Sequence, residues 1–438
     1  MTAFALTHVS IVTADRDGTV LPDHTVLVGQ GGTIEQVGPA SGVEVPRGYR
    51  KISGTGRFVM PGLINAHAHL FSDGKPLPPI LLNESAEKAV SIFMHSPVGD
   101  RWLKRRTKRA VLAQMNTGVT TIRSLGDPGY EVVKVAAEID GGAYVGPRLI
   151  ASGPLMAVSG GHGAPQIALI SDNPWDARRN VRINLRHGVT AIKIAATGGV
   201  TDAKVIGEAG RPQMTEEEMT AICEEAHNAG VLVAAHAQSA EGIVRALRAG
   251  VDTIEHGAAM NDEIIELFRS NPKSLHGSSA LIPTLTAALP IVKLPLETTG
   301  VTEINRVNAV MVLDEMLQGI TDARENDVAL GMGTDSSLTF VTHYNTWREI
   351  DLVIRHGNVP AARALHAATQ ANATILGIDD VTGSVEVGKS ADLIVTNANP
   401  LDDIRTLSQP HAVVVRGSLI ESPTIERFPE IDEKLDTL

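Results

Sequence analysis

The sequence predicts an α/β protein: a (β/α)8 TIM-type barrel carrying a small β-sandwich domain built from both ends of the chain. Three observations predict it. Both chain ends are strand-rich while the middle is not. The middle repeats a rhythm of helix, glycine and short apolar strand. At 438 residues, the chain is long enough for a large core plus a second module.

Residues 1–58 hold short strands. Segments 4–13, 25–28 and 33–37 are rich in Val, Ile and Thr, and turn formers at 15–18 and 29–32 separate them. The pattern returns near Thr382, where 391–396 and 412–416 are strand-like and Gly383, Gly388 and Gly417 punctuate them. Pairing the ends gives one composite domain, 1–58 plus 382–438, with the barrel inserted at 59–381.

In the insertion, Gly118 precedes VTTIRS, Gly188 precedes VTAIKIA, Gly230 precedes VLVAAHA, Gly250 precedes VDTIEH, and Asn326-Asp327 precedes VALGMGTD. Glycine just past a helix relieves the left-handed C′ position. The strands are apolar on both faces, as strands buried in a parallel sheet should be. With 59–66, 148–153 and 278–285 they begin near 59, 119, 148, 189, 231, 251, 278 and 328, which makes eight. One intervening helix has a full signature. Thr215 and Glu218 form a capping box, Met219, Ile222, Cys223 and Ala226 make one apolar face, and Gly230 closes it. Cys223 is thus a core residue.

Composition excludes several function classes. The chain is 43% hydrophobic and 20% charged, with a formal net charge of -12, which argues against a nucleic-acid partner. A single cysteine permits no intrachain disulfide and fits a reducing compartment. The N-terminal segment lacks a basic region and a small-residue cleavage site, so it reads as a first strand. No apolar run approaches the ~20 residues of a membrane span. A cytoplasmic setting is expected.

The strand ends carry the chemistry. The first strand ends in His67-Ala-His69, and residues two apart on a strand share a face. The fourth carries Lys193, the fifth ends in His236, the sixth in His256 and the eighth in Asp335. In a parallel barrel these ends open on one face, so six metal-compatible or titratable groups converge there. Each alone has an ordinary explanation as a capping, hydrogen-bonded or snorkelling residue. Together they point to a metal site. Lys193, among apolar neighbours, is costly as a free buried ammonium. Addition of carbon dioxide turns it into a carbamate whose two oxygens can bridge two metals. The competing arrangement is an ion pair with Asp335.

With these residues in place, the sequence resembles the amidohydrolase superfamily, in its binuclear branch with a carboxylated lysine. The resemblance covers nearly the whole chain. It includes the entry Val59-Met-Pro-Gly-Leu and the exit segment 383–393. Segment 192–200, His236-Ala, Thr253-Ile-Glu-His-Gly257 and Gly333-Thr-Asp-Ser336 resemble Xaa-Pro dipeptidase and imidazolonepropionase-like members. The resemblance implies that His67, His69 and Asp335 hold one divalent ion and His236 and His256 a second, with N6-carboxylated Lys193 between them. Zinc is the expected metal. It also implies a small-molecule substrate and a homo-oligomer.

The expected reaction is hydrolysis of an amide C–N bond by hydroxide held between the metals, with Asp335 moving the proton. A dipeptide or N-acyl amino acid is the leading substrate class. The alternatives are a cyclic amide such as an imidazolone, a carbamate, or an aromatic amide such as a mycotoxin; a non-catalytic scaffold is the remote one. His162, in Ser159-Gly-Gly-His-Gly163, is a candidate for the carbonyl oxygen or a substrate carboxylate. Arg123, Gln238, His343 and Arg348 are further substrate-contact candidates, Arg123 with a structural role favoured. Gln238 stands where relatives often have Tyr or His, and Ser124 where they often have an acid. Two long segments, 71–100 and 286–306, are expected to wall the pocket, with Phe93, Met94 and Leu289 as lining candidates.

Overall fold

The computed structural model describes residues 2–76, 84–164 and 167–438. Among these, ten parallel strands carry the middle of the chain: two short ones, Leu155–Ala157 and Ala168–Ile170, and eight near the expected positions. The eight are β1 (Leu63–Ala68), β2 (Val119–Ser124), β3 (Arg148–Ala151), β4 (Ala191–Ala195), β5 (Leu232–Ala237), β6 (Thr253–His256), β7 (Ala280–Ile282) and β8 (Ala329–Leu330). β1 to β3 form one parallel sheet. β4 to β8 belong to a second, seven-stranded sheet that also holds Leu155–Ala157, beside β4, and Ala168–Ile170; its register aligns Lys193 with Ala234, Ala235 with Ile254, Ile254 with Leu281 and Leu281 with Leu330.

Hydrogen bonds join the two sheets at both ends. Thr190 N donates to Ala151 O at 2.8 Å, next to β3 and β4. Beyond β8, Ala66 N donates to Met332 O at 3.0 Å and Asp335 N to His67 O at 2.8 Å. Asn372 ties the same seam, donating to Ile64 O at 2.7 Å and Met332 O at 2.9 Å. The α/β content and parallel pairing are consistent with a TIM-like barrel.

Alternation along the strands explains what points where. Ile192, Ile194, Val233, Ala235, Ile254 and Leu281 pack against Met219, Ile222, Cys223, Ile243, Leu247, Ile264 and Phe268 of the neighbouring helices. Burying one such large side chain contributes about 1.5–3 kcal/mol. Lys193 and His236 occupy the alternate positions and face the other way. The helix Glu216–Asn228 carries the expected capping box, and Cys223 is buried in its apolar face.

Both chain ends meet in an eight-stranded mixed sheet, counted among the described residues. Leu393–Thr396 pairs antiparallel with Phe58–Pro61, and Phe58–Pro61 pairs with Phe4–Val12. This corrects the first expected strand. Residues 58–61 belong to the mixed sheet, Gly62 N donates to Asp392 O at 2.8 Å, and the parallel strand starts at Leu63. The C-terminal part is also less uniformly strand than expected. It ends in a helix, Pro429–Leu435, which buries Ile431 and Leu435 against Leu294 and Phe340.

Segment 286–306 is not an open loop. It holds the helices Leu285–Lys293 and Leu296–Thr299 and the start of Glu303–Glu325, whose Thr302/Asn305 capping box fixes its entry. Leu289 is core there. Of segment 71–100, residues 77–83 lie outside the described residues. Helices Glu84–Met94 and Pro97–Asn116 follow, with Phe93 against Trp102. Among the described residues, no helix is long and apolar enough to cross a membrane.

Candidate metal centre

The C-terminal ends of β1, β4, β5 and β6 and the segment after β8 deliver the chemistry-bearing side chains to one place. A run of imidazoles marks it: His69 to His67 at 5.6 Å between ring centres, His67 to His256 at 5.1 Å, His256 to His236 at 4.6 Å and His236 to His162 at 4.2 Å. His67, His69 and Asp335 each offer a ligand atom within 4.8 Å of the others. His67 Nε2 lies 3.3 Å and His69 Nε2 3.0 Å from the same oxygen, Asp335 Oδ1.

Strand geometry alone does not produce this convergence. Gly333 lets the chain after β8 pass against β1, since a Cβ there would sit 2.5 Å from His67 Cβ and 2.8 Å from His67 N. His256 and Asp335 both adopt left-handed backbone, at φ 70° and 57°. For non-glycine residues that conformation is strained, and it turns each side chain out of the strand's alternation.

The outer nitrogen of each ring is already committed. His69 Nδ1 meets Gly126 O at 3.1 Å, and a carbonyl only accepts, so Nδ1 carries the proton. His236 Nε2 likewise meets Gly198 O at 3.0 Å, which leaves Nδ1 as its free nitrogen. His256 Nδ1 lies 2.8 Å from Thr284 Oγ1. His67 Nδ1 lies 2.8 Å from Glu255 Oε2 in a bent ion-pair contact. Partners of this kind fix ring orientation and tautomer in metal sites.

Electrostatics sharpen the fit. Burial pushes the His69, His236 and His256 imidazoles down, His236 and His256 well down, so they are neutral donors near pH 7. Burial opposes an ionised Asp335, and its carboxyl is held well below the usual range by positive charge and hydrogen-bond donation from His67 and His69, which a ring left neutral with its proton on Nδ1 cannot supply. A neutral His69 lone pair therefore faces a carboxylate oxygen at 3.0 Å, and that oxygen has no hydrogen bond among the described residues. Two electron-rich atoms in that arrangement suit a cation between them. Lys193 Nζ is also buried without a hydrogen-bond partner among the described residues. Burial pushes it down to about 8, against the pull of Glu255 and Asp335. The donor set fits divalent metal binding.

Glu255 is the residue that strand-end reasoning missed. Its Oε1 accepts from Arg123 at 2.9 Å while Oε2 faces His67. Burial opposes its ionisation, but Arg123 and His67 hold the carboxyl below the ordinary range. The remaining candidates divide. His162 stacks on His236, and Gln238, just past the end of β5, is buried with Oε1 unpartnered among the described residues.

Arg123, His343 and Arg348 are spent elsewhere. Arg123 is fully buried and donates to Ala66 O, Thr253 and Glu255. His343 Nε2 faces Ser72 O at 2.6 Å, and its Nδ1 faces Gln114 at 3.3 Å. Arg348 donates to Asp436 at 2.7 Å and so docks the C-terminal segment. Among the described residues, Arg123 and His343 have their ring or guanidinium nitrogens engaged, whereas Arg348 Nε is buried without a hydrogen-bond partner.

Comparisons with known proteins give the family. The family model for the amidohydrolase family matches residues 58–420. A solved structure of a Bifidobacterium longum protein, described as a proposed prolidase, is 49% identical; the match covers 100% of this chain and 98% of that one, at a TM-score of 0.89. A solved Xaa-Pro dipeptidase with bound methionine is 27% identical over 96% of this chain and 100% of its own, at a TM-score of 0.82. An ochratoxinase of Aspergillus niger is 26% identical over 422 residues, which is 89% of this chain and 82% of that protein.

Proposed function

Because the chain belongs to the amidohydrolase family, we propose that it is a binuclear, metal-dependent hydrolase that cleaves the C–N bond of a dipeptide or N-acyl amino acid. The observation that carries this is the convergence of His67 Nε2 and His69 Nε2 on Asp335 Oδ1, beside an unpartnered Lys193 amine. Similarity to a proposed prolidase and an Xaa-Pro dipeptidase favours a dipeptide with proline on the leaving side.

In this account the chain from Leu63 to about 381 is a closed (β/α)8 barrel, and the two chain ends, with residues 58–61, make a sandwich-type domain. His67, His69 and Asp335 would hold one ion and His236 and His256 the other, and Lys193, once carboxylated, would add an anionic ligand. When bound, a pair of zinc ions supplies Lewis acidity and an activated water. Asp335 accepts the proton of the attacking water at its carboxylate and passes it to the leaving nitrogen. His162 and Gln238 meet the substrate oxygens. The ionised Glu255 turns His67 so that Nε2 faces inward. The enzyme works in the cytoplasm as a homo-oligomer.

A second reading, hydrolysis of an amino acid's aromatic amide, is favoured by the 26% identity to an ochratoxinase. A zinc-supplemented panel of Xaa-Pro dipeptides, N-acyl amino acids, aromatic amides and cyclic amides separates the two. Xaa-Pro turnover is expected, and Asp335→Asn is expected to keep the fold and lose about 100- to 10,000-fold in kcat. Wild-type-like turnover in that variant would remove Asp335 from the mechanism.

A further inference from the structure

We propose that Asp202 is a positioning residue for His162, holding the ring by Nδ1 so that Nε2 is the nitrogen offered to a substrate oxygen. The proposal rests on the hydrolase assignment above and adds a residue that nothing in the strand ends points to.

The geometry is a built cradle. His162 Nδ1 lies 2.6 Å from Asp202 Oδ2, and the same oxygen accepts from Gly163 N at 2.9 Å. A carboxylate so placed accepts, so Nδ1 holds the proton and Nε2 is left free. One face of the ring stacks on His236, with 4.2 Å between centres and 28° between planes. Gly199 lies against the ring as well, where a Cβ would come within 2.4 Å of Nδ1 and Cε1, so only glycine admits the ring there. His162 N donates to Gln213 Oε1 at 2.9 Å.

The loop that supplies Asp202 is itself clamped. Asn305 Nδ2 donates to Val200 O at 2.7 Å, and Asn308 Oδ1 accepts from Gly207 N at 3.1 Å and Ala209 N at 3.2 Å. Both asparagines lie on the helix Glu303–Glu325. Asp202 therefore ties the loop after β3 to a loop after β4 that has little freedom of its own. The His162 side chain is 23% exposed, whereas His236 and His256 are buried. Its ring therefore occupies the solvent side of the imidazole run, where a small amide would arrive.

Three variants of the zinc-reconstituted protein test this with alanyl-proline as probe: His162→Ala, Asp202→Ala and the double variant, with Asp202→Asn as the conservative control. Asp202→Ala is expected to lower kcat/KM about 10- to 100-fold with zinc content unchanged. The double variant is expected to be no slower than His162→Ala alone. Asp202→Asn, which keeps an acceptor for Nδ1–H, is expected to recover most of the loss. In ¹⁵N-histidine spectra, the Nδ1 proton of His162 is expected as a hydrogen-bonded downfield resonance that Asp202→Ala abolishes. Additive losses, falling zinc content or an unmoved His162 resonance would overturn the proposal. If wild type fails to cleave alanyl-proline, the substrate assignment fails, while the resonance still decides the role of Asp202.

Discussion

His67 Nδ1 and Glu255 Oε2 lie 2.8 Å apart, with both side chains sealed from solvent. The other oxygen of that carboxylate is held by the fully buried Arg123, so one anion serves two partners. Removing it leaves a buried guanidinium without its charge partner. Glu255→Ala is therefore expected to destabilise the fold by about 3–5 kcal/mol. Glu255→Gln keeps an acceptor but loses the charge. It is expected to fold and to bind zinc about 10- to 100-fold more weakly. Competition against a chelating dye measures this, and unchanged affinity would free His67 from its dependence on Glu255.

Lys193 makes a separate prediction. Only a neutral amine adds carbon dioxide, and burial brings Lys193 down to about 8. The neutral fraction grows as pH rises through that value. Metal-free protein given zinc is expected to recover activity with bicarbonate and far less in carbon-dioxide-depleted buffer, faster at pH 9 than at pH 7. Lys193→Arg is expected to recover in neither. Equal recovery of the wild type in both buffers would rule out the carbamate.

Stability should also depend on pH away from the site. Glu131 is buried at the start of the helix Glu131–Asp140, and burial pushes its carboxyl from 4.5 up to about 7. Between those values the folded chain keeps a proton that the unfolded chain has released, so stability falls as pH rises. Asp127, buried beside it and also raised, shares that proton balance, so the contribution is present at low pH and lost as pH rises through the raised range of the pair. Glu131→Gln is expected to flatten that part of the profile in denaturant melts at pH 5 and pH 8. An unchanged slope would assign the pH dependence to other groups.

Arg348 should behave as a structural residue. Its guanidinium holds Asp436 at 2.7 Å and lies over Trp347 at 4.6 Å. Because Asp436 is partly exposed, Arg348→Met is expected to cost only about 1–2 kcal/mol. KM for alanyl-proline is expected to hold. A KM rise without loss of stability would return Arg348 to the substrate pocket.

The parts of this site that were legible in the sequence are those written in strand periodicity. His67 and His69 share a face because they are two apart, and Lys193 and His236 take positions alternate to Ile192 and Val233. Glu255 was hidden by the same rule. Strict alternation sends residues 255 and 256 to opposite faces, and only the left-handed backbone at His256 (φ 70°) lets both serve the site. Asp202 was hidden because its bond to His162 spans 40 residues between two loops. The partners of Arg348 and His343, Asp436 and Ser72, were hidden because they lie far away in the chain. The C-terminal helix left only a faint trace, Pro429 at its first turn and Ile431 and Leu435 four apart.

Anomalous diffraction from crystals grown with zinc addresses the pair of metal ions most directly. Two peaks are expected, one within bonding reach of His67, His69 and Asp335, the other within reach of His236 and His256, with extra density on Lys193 Nζ between them. A map with no peak there, or with zinc elsewhere and Lys193 unmodified, would contradict the binuclear account.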